Sequence, residues 1–147
     1  MDIKVTVKKL NERAVLPSYA TPESAGMDLY ALLDEEINLL PGRRVTVPTG
    51  LSIQLPQGSA AFIYARSGLG IKHGIVPANC VGVIDSDYRG EIKVGLINQS
   101  DSPYTIRPFE RIAQMVIAPV LKVQLIESDA LNETERGEGG FGSTGRG

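Results

Sequence analysis

The strongest constraint on the fold of this chain is its punctuation. Short apolar stretches are cut again and again by turn-forming groups, among them Leu40-Pro41-Gly42, Pro56-Gln57-Gly58, Arg89-Gly90 and residues 100–103. At the start, Ile3, Val5 and Val7 alternate with Lys4, Thr6 and Lys8, the period of a half-buried strand. Further strands are predicted over 44–46, 51–55, 60–64, 92–97, 112–117 and 120–126. No segment sustains a capped 3.6-residue apolar period, and the best helical candidate is a single turn over 67–70. Many short strands joined by turns predict an all-β sandwich or jelly roll rather than alternating β/α units. The glycines do not form a dinucleotide fingerprint, since no Gly-x-Gly-x-x-Gly follows a strand and opens a helix. A Gly-Lys-Ser/Thr phosphate loop is also absent.

At 147 residues, with 42% hydrophobic and 22% charged side chains, the chain suits one domain with one modest core. A net charge of -2 and the lack of a Lys/Arg run argue against nucleic acid as a partner, so any phosphate has to be met locally. The opening MDIKVTVKK lacks a long apolar stretch, and no apolar run is long enough to cross a membrane. A cytoplasmic protein without membrane contact is the expectation. Cys80 is the single cysteine and reads as a buried thiol without disulfide or zinc chemistry. His73 stands alone in a turn, and no His/Cys/Asp cluster has the spacing of a dedicated metal site.

Two polar clusters interrupt the strand pattern. In ARSGLGIKHG, residues 65–74, Arg66, Ser67 and nearby backbone N–H groups can hold phosphate oxygens in a turn. An arginine at a strand end is more often just a surface charge. In VGVIDSDYRGE, residues 81–91, Val81, Val83 and Ile84 lead a strand into Asp85-Ser86-Asp87-Tyr88-Arg89-Gly90. This reads either as a solvated hairpin turn whose aspartates cap their own backbone, or as a device that holds one carboxylate semi-buried and oriented beside a tyrosine. The chain closes on RGEGGFGSTG, residues 136–145. Glycine-rich ends are commonly disordered. This one also carries a ring, two hydroxyls and an arginine, which suit a lid over a ligand that is part aromatic ring and part phosphate.

Taken in order, AGMDLYA (25–31), ARSGLG (65–70), VGVIDSDYRGE (81–91), RIAQMVI (111–117) and RGEGGFGSTG (136–145) resemble the five motifs of the trimeric deoxyuridine triphosphatase (dUTPase) family. The resemblance extends over about residues 3–145. It implies a distorted jelly roll of the β-clip type over 1–135, with at most one short helix, and an arm over 136–147 that closes an active site of a neighbouring subunit in a homotrimer. It also implies hydrolysis of dUTP to dUMP and pyrophosphate, which removes dUTP from the nucleotide pool and supplies dUMP for dTMP synthesis. Mg²⁺ is implied as well, bound mainly through substrate phosphates and water.

The same resemblance carries roles to individual residues. Asp85 is similar to the aspartate that orients and deprotonates the attacking water. A carboxylate with a usual pKa of roughly 4 is a weak base, so position has to supply most of its effect. Tyr88 resembles the ring that leaves no room for a 2'-hydroxyl, although a hairpin tyrosine can also simply cover core. Asn79 resembles the asparagine that reads uracil, helped by backbone groups between Cys80 and Val83. Arg66, Ser67 and Gly68 resemble the phosphate-binding turn, and Gln114 the glutamine near the α-phosphate, though Gln114 could equally be an outward residue of its strand. Asp28 is a supporting residue. In the arm, Phe141 would stack on uracil, Arg136, Ser143 and Thr144 would meet phosphates, and Gly139, Gly140 and Gly142 would let the backbone wrap. Two departures stand out: Ala65 where the family usually has proline, which loosens the turn's entrance, and 107–110 in place of a frequent Gly-Asp.

Two other functions fit parts of the pattern. A dCTP deaminase relative, possibly bifunctional, shares the fold and trimer logic, but needs a further glutamate and lacks this Phe-Gly-Ser-Thr arm. A non-catalytic nucleotide-binding regulatory trimer would leave Asp85 and a full closing arm without a task.

Overall fold

The short strands assemble around the longest of them, Arg111–Pro119. The computed structural model describes residues 3–145; Met1, Asp2, Arg146 and Gly147, which the spans 1–135 and 136–147 include, lie outside the described residues. The elements are β1 (Thr6–Lys9), β2 (Ser18–Tyr19), β3 (Met27–Tyr30), β4 (Ile37–Leu39), β5 (Arg44–Pro48), β6 (Leu51–Gln54), β7 (Ser59–Tyr64), α1 (Ser67–His73), β8 (Ile75–Pro77), β9 (Gly82–Ile84), β10 (Lys93–Asn98), β11 (Tyr104–Ile106) and β12 (Arg111–Pro119). β12 pairs with β3 on one side and β7 on the other, within a five-stranded sheet of order β2-β3-β12-β7-β9. A second sheet runs β5-β10-β8, and β1-β6 and β4-β11 form two pairs. All these pairings are antiparallel. Leu29, Ile63, Ile112 and Met115 from the first sheet meet Val47, Ile75, Val94 and Leu96 from the second in one core. The result is an all-β distorted jelly roll of the β-clip type with one short helix.

Local chemistry accounts for the elements that position polar groups. A bulge between Arg111 and Ala113 lets two successive residues, Ile112 and Ala113, both turn inward, so Gln114 resumes the alternation facing Asp28 of β3 and Tyr64 of β7. The helical turn expected over 67–70 extends to His73. Its two internal glycines disfavour helix, but buried Leu69 anchors it and Gly74, at φ 68°, caps it by donating its N–H to the Gly70 carbonyl at 2.9 Å.

Two strand expectations need correction. Residues 120–126 have no strand pairing among the described residues, and Leu121, Val123 and Leu125 are 92%, 75% and 89% exposed. Alternation produces a strand only where a neighbouring edge satisfies the backbone; the Val120 N–H donates to the Gly58 carbonyl at 2.9 Å, and among the described residues no ladder continues beyond it. At the other end, β1 starts at Thr6 and its residues are exposed rather than half-buried. Only Val5 packs against the core, while Ile3 and Val7 line an apolar concavity with Leu16, Met27 and Ile117. Among the described residues no helix is long and apolar enough to cross a membrane.

Candidate active site

β9 ends the five-stranded sheet, pairing only with β7 through Gly82, Val83 and Ile84. Its other edge therefore presents unpaired backbone donors and acceptors. Beside it lies a cavity of 360 Å³ that brings together Asn79, Val83, Asp85 and Tyr88. Glu91, Lys93 and Gly95 also line it, and the motif reading did not single them out. Cys80, which precedes this edge, is exposed rather than buried as its residue type predicts, because it sits in a tight turn with a left-handed φ of 64° and its N–H donating to the Pro77 carbonyl at 3.0 Å. Beyond β9 the chain turns tightly, with the Tyr88 N–H donating to the Asp85 carbonyl at 3.2 Å. Ser52 Oγ donates to the Arg89 carbonyl at 2.6 Å, and the Glu91 carboxylate accepts the Gly50 N–H at 3.2 Å. The hairpin is thereby tied to β6 and its approach. Asp85 itself is exposed, not semi-buried, because the turn is closed by backbone bonds that leave its carboxylate at the mouth of the cavity.

A second group forms where β3, β7 and β12 run side by side. The buried Asp28 carboxylate accepts from Arg66 Nε at 2.8 Å through one oxygen and from Arg111 Nη1 at 3.2 Å through the other. Two guanidinium groups on one carboxylate leave an excess positive charge beside Ser67 and Gly68, both exposed at the start of α1. Gln114 is neither in open solvent nor in the core. Its Nε2 donates to the Ala65 carbonyl at 2.9 Å, and a Cβ on Gly26 would stand 2.6 Å from its Oε1. That hydrogen bond holds the Ala65 carbonyl, while φ of residue 65, which a proline ring would fix, has no such restraint. Arg66, Ser67, Gly68 and Gln114 do not line the cavity that holds Asp85.

The loop before β12 has its own clamp. Glu110 accepts the Tyr104 hydroxyl through one oxygen and the Arg107 N–H, at 2.9 Å, through the other. Burial first, then the hydrogen bond and negative charge of Glu110, push the Tyr104 pKa up to about 12. Phe109, at φ 61°, donates its N–H to the Ala31 carbonyl at 2.8 Å. The segment 107–110 thus holds the entrance of β12, and Arg111 with it, against the end of β3.

The arm makes a third group. Arg136 Nε donates to the Gly139 carbonyl at 2.8 Å, and the Ser143 N–H to the Gly140 carbonyl at 3.1 Å. Phe141 is fully exposed, and Ser143 and Thr144 are exposed. Of Gly139, Gly140 and Gly142, only Gly142 takes a positive φ, 85°. Among the described residues no set of three or more His, Cys, Asp or Glu side chains could hold a metal ion.

Comparison with known proteins matches the chain to one family. The family model described as dUTPase matches residues 12–145. The chain belongs to the dUTPase family. It is 56% identical over 148 residues to a deoxyuridine 5'-triphosphate nucleotidohydrolase of Neisseria meningitidis serogroup A, with 99% of each chain covered. It is 52% identical over 144 residues to the protein of that description from Desulfitobacterium hafniense, covering 97% of this chain and 95% of the relative. Among solved structures, the dUTPase of Staphylococcus bacteriophage 80alpha with dUpNHpp superposes with a TM-score of 0.88 at 27% identity, over 97% of this chain and 98% of that one.

Within this dUTPase-family chain the sequence-derived residues fall into three places, not one. Asn79, Val83, Asp85 and Tyr88 share the cavity; Asp28, Arg66, Ser67, Gly68 and Gln114 share the turn at the start of α1 and its support; Arg136, Phe141, Gly142, Ser143 and Thr144 lie in the arm. Arg111 was visible at the head of the fourth motif, but nothing in the sequence indicated that it shares a carboxylate with Arg66 from 83 residues away from Asp28.

Proposed function

We propose that the chain hydrolyses dUTP to dUMP and pyrophosphate. The observation that carries this reading is the cavity beside the free edge of β9, where a base-sized space, a tyrosine and an accessible carboxylate converge in a chain of the dUTPase family. Uracil would pair with the backbone edge and the Asn79 amide, and the Tyr88 ring would face the deoxyribose. Asp85 would take a proton from a water whose oxygen bonds to the α-phosphorus. The bond from that phosphorus to the α,β-bridging oxygen breaks, and its electron pair leaves with pyrophosphate. Arg66, Ser67 and Gly68 would hold phosphate oxygens, with Gln114 beside the α-phosphate and Asp28 fixing Arg66. Among the described residues no group of three or more His, Cys, Asp or Glu side chains could hold a metal ion; Mg²⁺ would arrive on the triphosphate and be held mainly by phosphate oxygens and water. Bound there, it would neutralise charge on the leaving diphosphate.

The active assembly is a homotrimer in which one subunit supplies the cavity, another the phosphate turn, and the arm over 136–147 closes a neighbour's site. The separation of the three residue groups within one chain supports this, as does the exposed apolar segment 120–126. Phe141 would then stack on the base while Arg136, Ser143 and Thr144 meet phosphates, with Gly142 supplying the bend. The test is pyrophosphate release from dUTP beside dCTP, dTTP and UTP, with Mg²⁺ and an Asp85→Asn control. The expected result is dUTP-selective release that the variant loses by at least about a thousandfold while still binding nucleotide. Ammonia released from dCTP, or turnover retained in Asp85→Asn, would overturn the assignment.

A further inference from the structure

The turn after Asp85 ends in a glycine that its own backbone does not need. Gly90 lies outside the left-handed region that favours glycine. A Cβ at this position would nevertheless stand 2.3 Å from Tyr88 Oη, 2.5 Å from Cζ and 2.9 Å from Cε2. Non-bonded carbon atoms settle at about 3.5–4.0 Å, so a side chain at 90 and the present ring position exclude each other. The three nearest atoms all belong to Tyr88, and the phenol donates to the Glu91 carbonyl at 3.0 Å. The ring therefore rests on Gly90 and is tethered at its tip. It remains 45% exposed and lines the cavity with Asp85.

The seat is itself fixed from below. Ser52 holds the Arg89 carbonyl, the Glu91 carboxylate holds the Gly50 N–H, and the Ile92 N–H donates to the Leu51 carbonyl at 2.8 Å. The ring is thus referenced to β6 through backbone bonds. A sugar 2'-hydroxyl differs from hydrogen by one heavy atom, so a wall that rejects it has to be held within about 0.5 Å. We propose that Gly90, with the Glu91 carbonyl, is the positioning element that sets the Tyr88 ring against the sugar, and so a determinant of deoxyribose specificity that acts through Tyr88. This rests on the reading that Tyr88 faces the deoxyribose.

The experiment compares kcat/KM for dUTP, UTP and dCTP in the wild type, Tyr88→Phe, Gly90→Ala, Tyr88→Ala and the double variant Tyr88→Ala/Gly90→Ala. The nuclear Overhauser contact between the Tyr88 ring and the Gly90 α-protons is recorded without nucleotide. Gly90→Ala is expected to lower the dUTP/UTP ratio at least about tenfold, and Tyr88→Phe, which keeps the ring but loses the tether, about threefold. In the Tyr88→Ala background, Gly90→Ala should change that ratio by less than about twofold, because the two residues act as one unit. The dUTP/dCTP ratio should stay within about twofold in every variant, which a general loosening of the site would not allow. An equal cost of Gly90→Ala in both backgrounds, or an unchanged dUTP/UTP ratio, overturns the proposal. An active wild type without the ring-to-glycine contact defeats the seat alone. A wild type that shows the contact but does not split dUTP defeats the enzymatic reading and the specificity role with it.

Discussion

Asp28 serves two guanidinium groups with one carboxylate, and its removal should be felt in two measurements. Asp28→Asn keeps the shape but leaves Arg66 and Arg111 facing each other without a counter-charge. Arg111 is about half exposed, so the loss is smaller than for a fully buried pair, and about 2 kcal/mol of stability should disappear in urea unfolding. In kinetics, KM for dUTP should rise about tenfold as Arg66 loses its fixed orientation; an unchanged KM would detach Arg66 from the substrate. Tyr104 supplies a pH test. Its neutral phenol is favoured by the fold, with a pKa of about 12 against an ordinary 10.0. The stability it contributes is complete below pH 10 and is lost as pH rises through about 12. The stability gap between wild type and Tyr104→Phe should therefore be constant at lower pH and close across that window in urea titrations. Neither residue declared its part in the sequence. Asp28 could be named as a support from its motif, but its second partner, and the pairing of Tyr104 with Glu110, depend on which strands lie side by side.

At the scale of elements, the sequence was most readable where an apolar run met a local partner. Residues 60–64 and 112–117 were legible as short apolar runs set between turn signals, and they became β7 and β12, although neither buries its side chains in strict alternation. β2, β4 and β11 are two or three residues long, below what any periodicity can register. α1 shows a different limit. Its glycines argue for a bare turn, yet the helix continues to a left-handed Gly74, against which the Ser100 N stands 2.8 Å from a would-be Cβ. Gly74→Ala would strain φ and press on backbone that cannot swing aside. It should cost about 2 kcal/mol and lower the thermal midpoint, since a left-handed conformation alone costs about 1–2 kcal/mol for a residue with a Cβ. An unchanged midpoint would mean that the cap is dispensable.

The whole chain carries the three sets of residues proposed to meet the nucleotide in three places, and that separation makes a direct test of shared sites. Asp85→Asn subunits and subunits truncated before Arg136 should each be nearly inactive as pure assemblies. Unfolded together and refolded as a mixture, they should recover turnover, because an intact cavity on one subunit can then be closed by an intact arm from another. If each site were built within one chain, every subunit in the mixture would still lack one part, and no recovery would appear. Along the chain, residue types and their order were sufficient for the all-β class, the motif order and the identity of the polar groups, because turn chemistry and side-chain chemistry are properties of each residue and its near neighbours. The exposed position of Asp85, the carboxylate shared by Arg66 and Arg111, the seat beneath Tyr88 and the unpaired state of 120–126 were decided only by the tertiary structure. Each depends on distances between segments far apart in sequence, and those distances are set by how the two sheets pack on a common core.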